Sequence, residues 1–220
     1  MLWLILLVLL FVAVISFNQY TKNKKKYKAG EMGETEVYQL ITQIAPRSSV
    51  ILRNIYLPTS KGTTETDLLM LTRKGIFVFE IKNYRGVIYG DERYNEWIKV
   101  LGNGKKVSFY NPVWQNEGHI RALLRLFPEI NPRFVYSRIV FCGSSEIKRV
   151  RIKNRSVRVL KDTELKRKMK WKLRFSFNKF SGRELAFFEQ ELQKFTDMNG
   201  RTKRKHKKQV KSLKRQYPAG

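Results

Sequence analysis

Asp67, Glu80 and Lys82 are the residues whose types and spacing suggest chemistry. They lie in two apolar runs joined by Arg73-Lys74-Gly75, where the glycine supplies the permissive backbone of a tight hairpin turn. In the second run Phe77, Phe79 and Ile81 alternate with Ile76, Val78, Glu80 and Lys82, the period-two pattern of a strand with two faces. With Arg73 and Lys74 as a two-residue loop, Thr72 falls opposite Gly75 and Asp67 opposite Glu80. Their Cβ atoms then lie within about 5 Å, with Lys82 on the same face. Like charges directly opposite destabilise a sheet, so this pair needs a neutralising partner, and a divalent cation is the natural candidate.

The surrounding chain must position these groups. Its 220 residues suffice for one well-buried domain with appendages. The net charge of +27 is unevenly spread: residues 1–28 carry 5 Lys and Arg without an acid, 29–145 carry 15 against 11 acids, and 146–220 carry 25 against 7. The middle is thus an ordinary globular composition, and the basic excess is appended to it. Such an excess suits an anionic polymer or an anionic membrane surface. The single Cys142 excludes an internal disulfide, fits a reducing compartment, and reads as a buried small hydrophobe inside an apolar strand.

Residues Leu2–Phe17 are almost wholly apolar and precede a lysine cluster from Lys22 to Lys28. Positive charge after the apolar run, with no small-residue cleavage pattern, argues against a cleaved signal peptide. The expectation is a single-pass transmembrane anchor over residues 1–20, a basic juxtamembrane linker over 21–29, and a soluble domain on the cytoplasmic side of the cell membrane. From Gly30 to Ile44 an apolar stripe of Val37, Leu40, Ile41 and Ile44 predicts a helix, ended by Pro46. Val50–Leu57 reads as a strand and Pro58 to Gly62 as a loop. After the hairpin, Val87–Tyr89, Trp97–Leu101 and Lys106–Tyr110 predict further antiparallel strands. Asn111-Pro112 opens a helix reaching Phe127, on which Gln115 and His119 share a face. Phe134–Cys142 and Val157–Leu160 read as strands. Helices follow near Thr163–Leu173 and after Ser181, whose pairing with Glu184 is a capping box. The domain spans 30–145, a basic extension with helices packing on it spans 146–198, and residues 199–220 read as a disordered basic tail.

The ordered set of motifs resembles the nuclease-related domain family, often written NERD, within the restriction-endonuclease-like Asp…Glu-x-Lys superfamily. It comprises Gly30-Glu31-Met32-Gly33-Glu34, Thr64-Glu65-Thr66-Asp67, Glu80-Ile81-Lys82, Trp97 and Asn111-Pro112-Val113-Trp114-Gln115, and it covers Gly30 to Gly143. One departure from the broader endonuclease pattern is Thr66 where a proline often precedes the aspartate. The resemblance implies an α/β fold: a restriction-endonuclease-like core of mixed sheet, with a central hairpin flanked by helices. It implies metal-dependent hydrolysis of DNA phosphodiester bonds at Asp67, Glu80 and Lys82, with Glu34 as a further carboxylate. The residues suit that chemistry. Asp67, Glu80 and the carbonyl of Ile81 are hard oxygen donors for Mg²⁺ or Mn²⁺. Lys82 would stabilise charge on the phosphorane or orient the water, and Gln115 would contact the phosphate or position Lys82.

Each residue also has a structural role available to it. Asp67 suits a salt bridge, Glu80 and Lys82 a solvated strand face, Glu34 a helix-dipole acid, and Gln115 a helix-surface amide. Glu65 competes for Lys82, and His119 and Trp114 fit packing. Tyr84 and Arg85 suit base stacking, and Lys203, Arg204, Lys205, Lys207 and Lys208 suit a phosphate backbone or anionic lipid. The principal alternative is a non-catalytic module that keeps the fold and binds nucleic acid or an anionic membrane; a further one is a scaffold whose basic tail recruits partners.

Overall fold

The computed structural model describes residues 2–196, the side chains of Leu2, Leu4, Ile5, Leu6 and Lys26 excepted. In chain order its elements begin with α1 (Leu2–Thr42), β1 (Val50–Thr59), β2 (Gly62–Thr72), β3 (Gly75–Asn83), β4 (Gly86–Asp91), β5 (Glu96–Val100) and β6 (Lys106–Tyr110). There follow α2 (Pro112–Leu126), β7 (Val135–Cys142), β8 (Ser145–Arg151), β9 (Val157–Lys161), α3 (Asp162–Arg174) and α4 (Gly182–Gln193). The protein is a mixed α/β fold with two mixed sheets. The larger has the order β1-β2-β3-β7-β9, in which β1, β2 and β3 meander antiparallel and β7 and β9 add in parallel. The smaller has the order β6-β5-β4-β8, with β8 parallel to β4.

Alternation along the hairpin divides the core. Leu69, Leu71, Ile76 and Val78 point to one face, where α2 and α4 supply Ala122, Leu123, Leu185, Phe188 and Leu192. Leu68, Met70, Phe77, Phe79 and Ile81 point to the other, where α1 supplies Val37 and Ile41 and α3 supplies Leu165, Met169 and Leu173. Strands covered on both faces are apolar at every position, so β3 is buried from Gly75 to Ile81. A polar group there needs a partner, since an unpaired buried charge is costly. The smaller sheet packs Ile88, Trp97 and Phe109 against Ile139 and Phe141 of β7.

The close approach of α1 to the hairpin depends on Gly33. A Cβ there would lie 2.6 Å from Cys142 Sγ and 2.8 Å from Asn83 Cβ. Asn83 Nδ2 also donates to the Ala29 carbonyl at 2.7 Å, fastening the helix to the end of β3. This contact carries Glu34, one residue on, toward the acids of β2 and β3.

Four expectations need correction. Pro58 lies inside β1, not in a loop; β1 is an edge strand, where a missing N–H costs no ladder bond. The strands after Gly86 are not a continuation of the main sheet but a second one, and it contains β8, which the sequence pattern did not signal. The helix expected from Gly30 begins earlier, because α1 is continuous from Leu2 to Thr42. Finally, the transmembrane helix is not supported: among the described residues no helix is long and apolar enough to cross a membrane. The apolar run of α1, Leu2–Phe17, is shorter than the ~20 residues that a span needs.

Candidate active site

The hairpin register places the site. Pairing runs from Thr72 opposite Gly75 to Leu68 opposite Phe79, and one further step in this register sets Asp67 against Glu80. At that step a side chain replaces the backbone acceptor: the Ile81 N–H donates to Asp67 Oδ2 at 2.7 Å. The ladder therefore ends at the carboxylates, with Asp67 half-buried and Glu80 only 1% exposed.

Glu80 is satisfied on both oxygens. Lys82 Nζ donates to Oε1, and His119 Nε2 lies 3.0 Å from Oε2. Lys82 Nζ also donates to Gln115 Oε1 at 3.1 Å, and His119 Nδ1 lies 2.8 Å from Thr64 Oγ1. A continuous chain of polar contacts thus runs Thr64, His119, Glu80, Lys82, Gln115, stitching β2 and β3 to α2. The helix that carries Gln115 and His119 is itself tightly placed. Asn111 accepts from the Val113 N–H at 2.9 Å as an N-cap, and donates to the Tyr94 carbonyl at 2.6 Å. Trp114 Nε1 donates to the Glu92 carbonyl at 2.7 Å, and Trp97 Nε1 to the Asp91 carbonyl at 3.0 Å. Farther along α2, Asn116 Nδ2 donates to the Val78 carbonyl and to Ser137 Oγ, both at 2.8 Å.

Electrostatics split the acid pair. Burial alone would push Glu80 up, but Lys82 and His119 outweigh it and hold its carboxyl below the usual range. Asp67 moves the other way, raised well above the usual range by burial and then by the charge on Glu80. Glu34 is pushed up to about 7, first by burial and then by Glu65, against the opposing charge of Arg53. Burial works against the Lys82 ammonium, yet the charge on Glu80 holds its proton more tightly than usual. One acid is thus committed to a lysine, and two more lie nearby holding their protons more tightly than usual.

The structure brings together Asp67, Glu80, Lys82 and Gln115, with Glu34 within electrostatic reach. Glu80 is not on a solvated strand face. Glu65 accepts from Tyr56 Oη at 2.6 Å. Tyr84 is half-buried, edge-on to Phe109 with Lys99 Nζ 4.0 Å above its ring, while Arg85 is exposed. Lys203, Arg204, Lys205, Lys207 and Lys208 lie outside the described residues. Sequence reasoning assigned His119 to packing and missed its bond to Glu80, as it missed Thr64 and Asn116; the spacing of Gln115 and His119 on one helix face was the available signal.

A carboxylate pair with a lysine thus lies at the end of a central hairpin in a mixed α/β fold. The chain belongs to the nuclease-related domain family, whose model matches residues 29–142. It is 32% identical over 165 residues to an uncharacterized protein of Bacillus anthracis, covering 74% of this chain and 76% of that relative. No solved structure matches the chain.

Proposed function

We propose that the protein is a metal-dependent phosphodiesterase acting on nucleic acid, DNA in the first instance, on a restriction-endonuclease-like core. The observation that carries this reading is Lys82, held by both Glu80 and Gln115 beside a second, charge-crowded acid, Asp67.

A divalent ion fits the donor set in kind. Asp67, Glu80 and Glu34 are hard oxygen ligands, and the raised carboxyls of Asp67 and Glu34 are acids whose ionised form a further cation would favour. Among the described residues no three His, Cys, Asp or Glu side chains are close enough together to hold a metal. Asp67 and Glu80, with the Ile81 carbonyl, would hold Mg²⁺ or Mn²⁺, and Glu34 would stand beside them. What such an ion supplies is charge for the phosphate oxygens and a more acidic water. The chain's own groups do the rest. Lys82 keeps its proton and presents a fixed positive charge to the phosphate as negative charge builds there. Gln115 and Glu80 fix the direction of that ammonium, and His119 with Thr64 fixes Glu80.

The test is cleavage of plasmid DNA by the purified full chain with Mg²⁺ or Mn²⁺. Activity should stop with a chelator and fall by at least about 100-fold in Asp67→Ala. Equal cutting by that variant would assign the activity to a contaminant.

One observation favours a second reading, a non-catalytic binding module. Lys82 already neutralises Glu80, so the acid is satisfied without a metal. That reading predicts salt-sensitive DNA binding that survives Asp67→Ala and Lys82→Ala, with no hydrolysis.

Location is part of the proposal. The described apolar side chains of residues 7–17 are exposed, and the lysines that follow lie on the domain side. These features support association with the cell membrane, the domain facing the cytoplasm. Removing residues 1–28 should move the protein to the soluble fraction; an unchanged distribution would discard the idea.

A further inference from the structure

We infer that the outer face of the smaller sheet is a nucleic-acid platform, with Arg149 and Arg151 of β8, and Lys153 two residues beyond its end, contacting phosphates. The inference rests on the nucleic-acid reading of the site.

Alternation fixes which residues face outward. Ile88, Trp97, Phe109, Ile147, Val150 and Ile152 pack inward on the main sheet. Their strand neighbours therefore point to the opposite face. Across that face Tyr89 pairs with Ile98 on one side and Arg149 on the other, and Asp91 pairs with Arg151. A register shift between Ile88 and Tyr89 absorbs Lys148 and brings Arg149 into line with Arg151. Arg149, Arg151 and Lys153 are all exposed; the first two, alternate residues of β8, stand about 6.6 Å apart. The result is a pair of cations on an edge strand, with a third just past its end.

This row leads away from the acid site. Gly86, where β4 begins, is paired with Ser145 at the start of β8, only four residues after Lys82. Six residues of β4 then span about 17 Å. At the far end a cleft of about 250 Å³ is lined by Asp91, Glu92, Arg93, Arg151 and Lys153. Its two acids are engaged: Asp91 accepts from Arg93 Nε at 2.9 Å and Nη2 at 2.8 Å, and Glu92 Oε2 accepts from the Asn154 N–H at 3.2 Å. Arg151 and Lys153 line the same cleft, Arg151 near enough for its charge to lower the Asp91 carboxyl.

A linear polyanion fits this row better than a lipid surface does. Membrane-surface segments combine cations with apolar side chains that enter the acyl boundary. On β8 the apolar residues Ile147 and Val150 turn into the core instead. Exposed Tyr94, with the Arg93 guanidinium 5.5 Å above its ring, adds an aromatic face beside the cleft of the kind on which bases stack.

The experiment compares the full chain with its Arg149→Gln/Arg151→Gln/Lys153→Gln variant. Binding to a labelled 20-nucleotide single-stranded DNA is read in chelator at several salt concentrations. The variant should bind at least about tenfold more weakly at 0.1 M salt. The slope of log K against log salt should shrink by about 2, from three lost contacts at about 0.7 each. Unchanged affinity and slope would overturn the inference. So would a loss confined to phosphatidylserine vesicles, or a variant that self-associates in size exclusion while binding DNA normally, which would make the cations mere edge-strand protection. Because binding is read without metal, the two proposals fail separately. A chain that binds as expected but never cuts keeps the platform and loses the hydrolase. A triple variant that cuts with an unchanged KM does the reverse.

Discussion

Two acid–base groups in this molecule have similar bonding and opposite surroundings. Glu80, Lys82 and His119 form one; Asp91 and Arg93 form the other. In the first, Glu80 is 1% exposed and Lys82 16%. In the second, Arg93 is 57% exposed and Asp91 11%, and the guanidinium grips the acid two residues away in the chain on the solvent side. Both acids are held below their usual range, Asp91 at about 2 chiefly by its Arg93 hydrogen bond. Yet the energetic meaning differs. An exposed pair exchanges water for protein at little net gain. A buried pair carries a desolvation cost that its attraction barely offsets, and an apolar replacement would often serve the fold as well or better. Stability alone is therefore a weak reason for the buried cluster, and the phosphodiesterase proposed above would supply another.

The strongest test of that contrast is to break one half and then both. Glu80→Ala leaves Lys82 buried without its counter-charge, which should cost ~3–5 kcal/mol in urea unfolding of the full chain. Glu80→Leu combined with Lys82→Met should return stability to within ~1 kcal/mol of wild type, or above it, while hydrolysis stays absent. A double variant as unstable as Glu80→Ala would show that the cluster is chiefly structural.

His119→Ala comes next. It strips Glu80 Oε2 of its partner and should cost ~1–3 kcal/mol by the same measurement. It should also raise the Mg²⁺ concentration for half-maximal cleavage, because Glu80 loses its fixed direction. His119→Gln, which keeps a donor, should recover part of both losses. A variant unstable but unchanged in metal requirement would reduce His119 to packing.

These residues show what a linear pattern reveals. The hairpin was legible because its turn residues and period-two alternation are local, and the register they imply is the one observed as far as Leu68 opposite Phe79. The start of α2 was legible because Asn111-Pro112 states a cap in two residues. His119 was legible only in part: it shares a helix face with Gln115, but its bond to Glu80 spans 39 positions. β8 was hidden by its own bulge: Lys148 interrupts the alternation of Ile147 and Val150, so the strand reads as a charged loop. Gly33 announced a motif but not its cause, a steric meeting of α1 with Asn83 and Cys142.

Gly33→Ala tests that cause at the edge of the buried cluster. The new methyl must displace Asn83 or the Cys142 sulfur, at ~1–3 kcal/mol, and it should lower cleavage by shifting Glu34. Adding Cys142→Ala should relieve only part of the cost, since Asn83 Cβ still crowds the helix. Full relief would make the sulfur the sole obstacle. Cys142 itself offers a milder test. Burial pushes its thiol up to about 12, so the proton stays on far above neutral pH. Labelling by a disulfide reagent should remain slow from pH 7 to 9 in the native chain and become fast in denaturant. Rapid native labelling would mean that this end of β7 opens.

The smallest effect belongs to the exposed pair. Asp91→Asn and Arg93→Gln should each leave the urea midpoint at the wild-type value within error. The reason is that the structural duties of this turn are carried by its backbone: the Asp91 carbonyl accepts from Trp97 Nε1, and the Glu92 carbonyl from Trp114 Nε1. The Asp91 carboxylate instead accepts from the N–H and guanidinium of Arg93, in reach of water. Salt sharpens the distinction, because a pair facing solvent is screened over about 10 Å at 0.1 M while the Glu80 cluster is shielded from ions. Raising salt should therefore leave the cost of Glu80→Ala intact. A clear loss of midpoint in Asp91→Asn, vanishing at high salt, would show that the surface pair stabilises the fold by charge, and the contrast between the two groups would collapse.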